Sequence, residues 1–194
     1  MTFATQITVA RILLVPVFAI FAINYGKSVA LGTPDESIRW WAVGVFVVAA
    51  ASDGIDGWIA RRFNQRSRLG GVLDPIADKA LVLTALITLS IVEWGANWSL
   101  PIWFTVLVIA RDLVILGGIA VLHFLNQHVH IAPHWTGKTC TFLLMSTLAW
   151  VMLKVIPISP LYPVIVTAAF VVASGCFYLR DGLHQLHEHA QPES

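Results

Sequence analysis

The sequence predicts an all-α integral membrane protein: a bundle of six transmembrane helices in one domain, 1–194, with a polar cavity at its cytoplasmic side. Three observations lead there. Hydrophobic residues make up 57% of the chain and charged residues only 12%, where a soluble domain carries about 25% charged. Mean hydropathy is +0.76, an excess of apolar side chains that a soluble core does not absorb. The apolar residues fall into six segments near the roughly 20 residues that cross a bilayer, joined by short connections rich in turn residues.

The first segment runs from about Thr8 to Asn24, after a short amphipathic lead. The second covers about Ile38 to Ala60, the third about Val72 to Trp94, and the fourth about Leu100 to Asn126. The fifth covers about Gly137 to Ile156 and the sixth about Leu161 to Leu179. Gly-Thr-Pro-Asp at 32–35, the stretch 95–99 and the stretch 157–160 read as turns. Trp40, Trp41, Trp94, Trp98 and Trp103 sit near helix ends, where indoles anchor at the membrane interface. No basic n-region or cleavage pattern marks the start as a signal peptide. Cys140 and Cys176 lie in apolar segments and read as buried thiols. The net charge of +1, with no basic run or basic helix face, gives no sign of nucleic-acid binding.

Orientation follows from Lys and Arg. Arg61, Arg62, Arg66 and Arg68 crowd the loop after the second segment, whereas Lys27, Arg39 and Lys154 are scattered on the other side. The positive-inside rule puts the 61–70 loop in the cytoplasm. Six spans then put both termini there, in the plasma (inner) membrane. His184, His187 and His189 in the polar tail admit a metal reading, but a solvated tail is the simpler one.

One stretch breaks the apolar pattern. "SDGIDGWIARRFNQRSRLGGVLDPIADK", residues 52–79, holds Asp53, Asp56, Asp74 and Asp78, four of the eleven acidic residues. Asp53 and Asp56 are at i, i+3, and Asp74 and Asp78 at i, i+4, so each pair shares one helix face. The connection is short, which makes the two helices antiparallel neighbours with their acidic faces able to meet. Four carboxylates at low dielectric repel, and ionisable groups in membrane segments are expensive and functional by default. A buried ion network with Arg61, Arg62 and Lys79 is the structural alternative, but it supplies too little positive charge. Gly54, Gly57, Ala60, Gly70 and Gly71 leave room for a ligand. An all-oxygen donor set suits Mg²⁺ or Mn²⁺, with Ca²⁺ also possible, and a pair of such ions is a standard device for phosphoryl-type displacement. The order D-x-x-D-G is not that of an EF-hand loop.

The spacing Asp53-x2-Asp56-Gly57-x2-Ala60-Arg61-x8-Gly70-x3-Asp74-x3-Asp78 resembles the signature of the CDP-alcohol phosphatidyltransferase family at every position. "ITVARILLVPVF" (7–18), "ARDLVILGG" and "GKTCT" resemble the family's first, fourth and fifth helices. The resemblance implies an enzyme of phospholipid biosynthesis: transfer of a phosphatidyl group from CDP-diacylglycerol to an alcohol, with release of CMP. It implies that Asp53, Asp56, Asp74 and Asp78 ligate two Mg²⁺ or Mn²⁺ ions and that Asp78 is the catalytic base. It further implies that Gly57, Ala60, Arg61 and Gly70 contact the cytidine diphosphate part, and it suggests a homodimer.

Arg111 and Lys138 lie outside the signature, in apolar segments. Arg111 reads either as the neutralising partner of Asp112 or of the aspartate cluster, or as a clamp for a phosphate on the acceptor, which Arg binds bidentately. Lys138, at the start of the fifth segment, can serve the same phosphate. Two such cations favour a phosphate-bearing acceptor, glycerol 3-phosphate first. The first helix and the 61–79 stretch look most like phosphatidylglycerophosphate synthases. The Arg111-Asp112 pair also occurs in the family's cardiolipin synthases, which use phosphatidylglycerol. A membrane prenyltransferase and a cation-binding transporter are remoter readings.

Overall fold

The computed structural model describes residues 3–63, 68–124, 135–154 and 158–190; within these the side chains of 3–7, 53–75, 78, 119–124, 135–136, 138 and 181–190 lie outside the description. Among the described residues six helices follow one another: α1 Phe3–Ala30, α2 Glu36–Phe63, α3 Arg68–Ile91, α4 Ile102–Phe124, α5 Trp135–Leu153 and α6 Leu161–Ala190. No strand occurs among the described residues. All six expected helices are present. Two of them hold stretches long and apolar enough to cross a membrane, Thr8–Ala30 and Leu161–Arg180, while Lys79–Ile91 and Thr139–Leu153 are shorter apolar stretches among the residues described.

Helix ends differ from the expectation where polar residues continue a helix. α1 passes through Pro16 and on to Ala30. It stops at Gly32, whose φ of 75° takes the left-handed conformation that ends a helix, with its N–H donating to the Val29 carbonyl at 3.0 Å. α2 starts from Asp35, whose carboxylate accepts from the Ser37 N–H at 3.0 Å and from the Ser37 hydroxyl. Those two bonds hold the Asp35 carboxyl below its ordinary range. α6 runs eleven residues beyond Leu179, so the polar tail is helical as far as Ala190.

The chain divides into two compact units, residues 1–100 with 148–159, and residues 101–147 with 160–194. In the first unit α1 packs on α2 and α3. The packed stripe of α1 is Thr8, Arg11, Phe18, Ala22 and Tyr25, each at most 1% exposed. Its helical period meets Ala42, Phe46 and Ala49 on α2, and Ala77, Leu81, Ala85 and Leu89 on α3. α1 and α2 are antiparallel neighbours: Phe18 packs on Phe46 with ring centroids 5.5 Å apart, Phe21 stacks on Trp41 at 6.2 Å, and the Tyr25 hydroxyl donates to Glu36 at 3.2 Å. α1 and α3 run parallel and come close at Gly26, where a Cβ would lie 1.7 Å from Cγ1 of Val92, the residue just past α3. Only glycine allows that approach.

The far end of this unit is tied by polar groups. Arg39 donates from Nη1 to the carbonyls of Met152 (3.2 Å) and Leu153 (2.6 Å), satisfying the last turn of α5. Trp98 Nε1 donates to the Val151 carbonyl at 2.9 Å. Lys154 has a φ of 51°, and its ammonium donates to the Trp94 carbonyl and, at 2.8 Å, to the Tyr25 hydroxyl. Two of the five expected interfacial tryptophans are therefore structural. Trp94 is fully buried, edge-on to Tyr25 with centroids 4.9 Å apart, and Trp98 caps a helix. Tertiary packing against Tyr25 outweighs the interfacial preference there. Trp40, Trp41 and Trp103 are exposed, as anchoring requires.

In the second unit α4 packs on α6. The buried faces are Phe104, Thr105 and Val108 on α4, and Val164, Thr167, Ala168, Val171 and Ser174 on α6. Thr147 of α5 and Thr167 of α6 join through their hydroxyls at 2.7 Å. In both units the outward faces are apolar: Leu13, Ile20, Val47, Val48, Leu113, Leu116, Phe142 and Val172 are each at least half exposed. A water-soluble monomer rarely exposes apolar surface on this scale. Of the two cysteines, Cys140 is buried as expected, but Cys176 is exposed on that apolar surface of α6.

Candidate active site

The four aspartates lie on two consecutive helices of the first unit, Asp53 and Asp56 on α2, Asp74 and Asp78 on α3, separated by the connection 64–67. The same two helices carry Gly57, Ala60, Arg61 and Gly70; the side chains of these residues and of the aspartates fall outside the description. The backbone still fixes their register. The buried stripe of α2, Ala42, Phe46 and Ala49, continues at helical period through positions 53 and 56. The buried stripe of α3, Leu89, Ala85 and Leu81, continues toward its N-terminus through 78 and 74. Both acidic pairs thus occupy positions in line with the faces that pack on α1. A donor set of carboxylates on two neighbouring helices fits a hard divalent cation. Among the described side chains no group of three or more His, Cys, Asp or Glu comes together.

Arg11 was not among the expected site residues. Thr8 and Arg11 are buried on the packed stripe of α1, 0% and 1% exposed. Running back from the Phe18–Phe46 pair, the antiparallel register brings Arg11 opposite position 53 and Thr8 opposite position 56. Running back from the Gly26–Val92 approach, the parallel register brings Arg11 beside Ala77 and Thr8 beside position 74. Their burial depends on three-helix packing, so the sequence shows them only as part of a motif.

Arg111 belongs to the second unit, ten residues into α4. It is 13% exposed, and its Nη1 donates to Asp112 Oδ1 at 2.9 Å, so the pairing with Asp112 is real. Nη2 donates to the buried Ser174 hydroxyl at 2.8 Å, and the guanidinium lies 5.7 Å from the centre of the Tyr178 ring. Its Nε is buried with no hydrogen-bond partner among the described residues. The first turn of α5 comes close as well: a Cβ on Gly137 would lie 3.0 Å from the Tyr178 oxygen and 3.8 Å from Arg111 Nη2. Lys138 follows Gly137 directly, with its side chain outside the description. α4, α5 and α6 therefore converge on Arg111, beside a helix N-terminus whose amides favour anions.

The CDP-alcohol phosphatidyltransferase model matches residues 1–177. The chain belongs to this family. A "Probable phosphatidylglycerophosphate synthase" of Mycobacterium tuberculosis is 34% identical over 190 residues, covering 94% of this chain and 82% of the relative. The "CDP-diacylglycerol--glycerol-3-phosphate 3-phosphatidyltransferase" of Escherichia coli K12 is 32% identical over 151 residues, 76% of this chain and 75% of the relative. The protein of the same name from Shigella flexneri gives the same figures. The resemblance read from Asp53 to Asp78 is thus confirmed over most of the chain, and the protein is a transferase of this family.

Proposed function

We propose that the protein transfers a phosphatidyl group from CDP-diacylglycerol to glycerol 3-phosphate, releasing CMP, within a lipid bilayer. The observation that carries this reading is the complete signature on α2 and α3, in a chain whose relatives named for this reaction match it over three quarters or more of its length. Membrane embedding rests on the apolar outer faces and on the composition. All six helices cross in this reading, with the aspartate end and both termini cytoplasmic.

The chemistry follows from the charges. The acceptor hydroxyl oxygen bonds to the phosphatidyl phosphorus, the bond from that phosphorus to the CMP oxygen breaks, and CMP leaves with the electron pair. Asp78 takes the hydroxyl proton. Asp53, Asp56, Asp74 and Asp78 would hold two Mg²⁺ or Mn²⁺ ions, which would supply positive charge against the diphosphate and the leaving oxygen. Arg61 adds a fixed positive charge for the diphosphate, and Gly57, Ala60 and Gly70 let the nucleotide approach the backbone. Arg111, with three of its five N–H groups uncommitted to Asp112 and Ser174, and Lys138 hold the acceptor phosphate. The unpartnered Nε and the adjacent start of α5 support that assignment. Acyl chains stay in the bilayer while the head groups react at its surface.

The reaction class is tested with purified protein and labelled substrate. CMP release from CDP-diacylglycerol is the expected product. Release of inorganic pyrophosphate from a prenyl diphosphate would mark a prenyltransferase, and absence of both, with cation uptake into vesicles, a transporter.

A further inference from the structure

A guanidinium does not lose its proton inside a protein. A buried Arg therefore needs anions at its own level, and burying it without them is strongly destabilising. Arg11 is 1% exposed in the first unit. That unit holds seven acidic residues: Asp35, Glu36, Asp53, Asp56, Asp74, Asp78 and Glu93. Asp35, Glu36 and Glu93 belong to its other end. Glu36 bonds Tyr25, and Glu93 is next to Trp94, which packs on the same Tyr25. Tyr25 is fourteen residues along α1 from Arg11, or about 21 Å. The register set by Phe18–Phe46 and Gly26–Val92 brings Arg11 to the level of the four aspartates instead.

We propose that Arg11 is the built-in counter-charge of the aspartate cluster. It is a positioning residue that holds the carboxylate-bearing turns of α2 and α3 against α1 before divalent ions and substrate arrive. Arg11 is buried on the stripe of α1 that packs on α2 and α3, so in this role it supports the carboxylates rather than contacting the nucleotide. The inference rests on the proposed two-metal transfer reaction, since it assigns the residue by what the aspartates do there. A charge-compensating role also differs from packing in one measurable way: divalent ions and Arg11 compensate the same carboxylates, so each matters more when the other is absent.

The test is the thermal midpoint of the purified full chain in detergent, in EDTA and in Mn²⁺, alongside CMP release. Arg11→Met keeps volume and removes charge. It is expected to lower the midpoint in EDTA by on the order of 10 °C and to recover at least half of that loss in Mn²⁺, with KM for CDP-diacylglycerol within about twofold of the parent. Arg11→Lys keeps the charge and is expected to show the parent's Mn²⁺ shift. In the Asp53→Asn protein, Arg11→Met is expected to cost less than in the parent, a comparison that still reads out if the single variant does not fold. An equal loss with and without Mn²⁺ would make Arg11 a packing residue and overturn the inference while leaving the reaction standing. A tenfold rise in KM for CDP-diacylglycerol with no change in midpoint would make it a substrate ligand and also overturn it. A parent protein with neither a Mn²⁺ shift nor CMP release would overturn the inference and the transfer reaction together.

Discussion

Arg111 is held by two partners of different kinds, and that allows its structural and functional roles to be separated. Arg111→Ala leaves Asp112, 15% exposed, without the guanidinium 2.9 Å away. Breaking one side of a largely buried pair costs about 3 kcal/mol or more, or a midpoint drop of roughly 6–12 °C for a chain of this size. Arg111→Ala with Asp112→Ala removes both charges and recovers most of that. The functional loss does not recover. A charge-assisted hydrogen bond to the acceptor phosphate contributes on the order of 1.5–3 kcal/mol, about ten- to a hundredfold in KM. Arg111→Lys keeps the charge beside Asp112, but an ammonium lacks the planar fork that spans Asp112 and Ser174. It is expected to raise KM for glycerol 3-phosphate about tenfold with little change in midpoint. Lys138→Ala should behave likewise, and KM for CDP-diacylglycerol should stay put in every variant. The assay is acceptor-dependent CMP release at saturating CDP-diacylglycerol, with thermal unfolding in the same detergent. If the stability-restored double variant also regains the parent KM for glycerol 3-phosphate, Arg111 serves only Asp112 and the clamp is refuted.

Three further outcomes are expected. Chelation should abolish turnover and Mg²⁺ or Mn²⁺ restore it, while Asp53→Asn, Asp56→Asn or Asp74→Asn each cut it by orders of magnitude without unfolding the protein; full activity in EDTA would end the two-metal reading. Gly26→Leu should prevent α1 from reaching Val92 and lower the thermal midpoint by several degrees, as overpacking costs about 1–3 kcal/mol; an unchanged midpoint would mean α1 and α3 do not meet there. A cysteine at Gln65 should react with an impermeant reagent only from the cytoplasm and one at Thr33 only from outside, and the reverse pattern would invert the orientation.

Much of this molecule is legible in its sequence because a bilayer leaves few choices. Apolar stretches of near-spanning length gave the six helices, and Gly32 and Asp35 marked the first turn by their own backbone chemistry. Helix ends were harder. α6 runs on through a polar tail, and the hydropathy signal that located its start stops near Leu179. The aspartates stand out in the sequence because carboxylates in an apolar chain are expensive to bury, and they form the proposed metal site. Arg11 was less so: its burial depends on stripes of α1, α2 and α3 that meet only in three dimensions. In the proposed role it would add positive charge to the cluster that Arg61, Arg62 and Lys79 alone do not provide. Arg39 and Lys154, read from sequence as scattered loop charges, instead cap α5 and tie it to Tyr25 and Trp94. Nothing in their local sequence names partners 60 to 129 residues away.

In the proposed function the signature on α2 and α3 performs phosphatidyl transfer to a phosphate-bearing acceptor. The direct measurement offers purified protein labelled CDP-diacylglycerol with glycerol 3-phosphate, phosphatidylglycerol, inositol phosphate or serine in parallel, and identifies the lipid product by mass. Phosphatidylglycerophosphate and stoichiometric CMP are expected with glycerol 3-phosphate, and little product with the others. Preferential conversion of serine, an acceptor with no phosphate for Arg111 and Lys138 to hold, would contradict the proposed function.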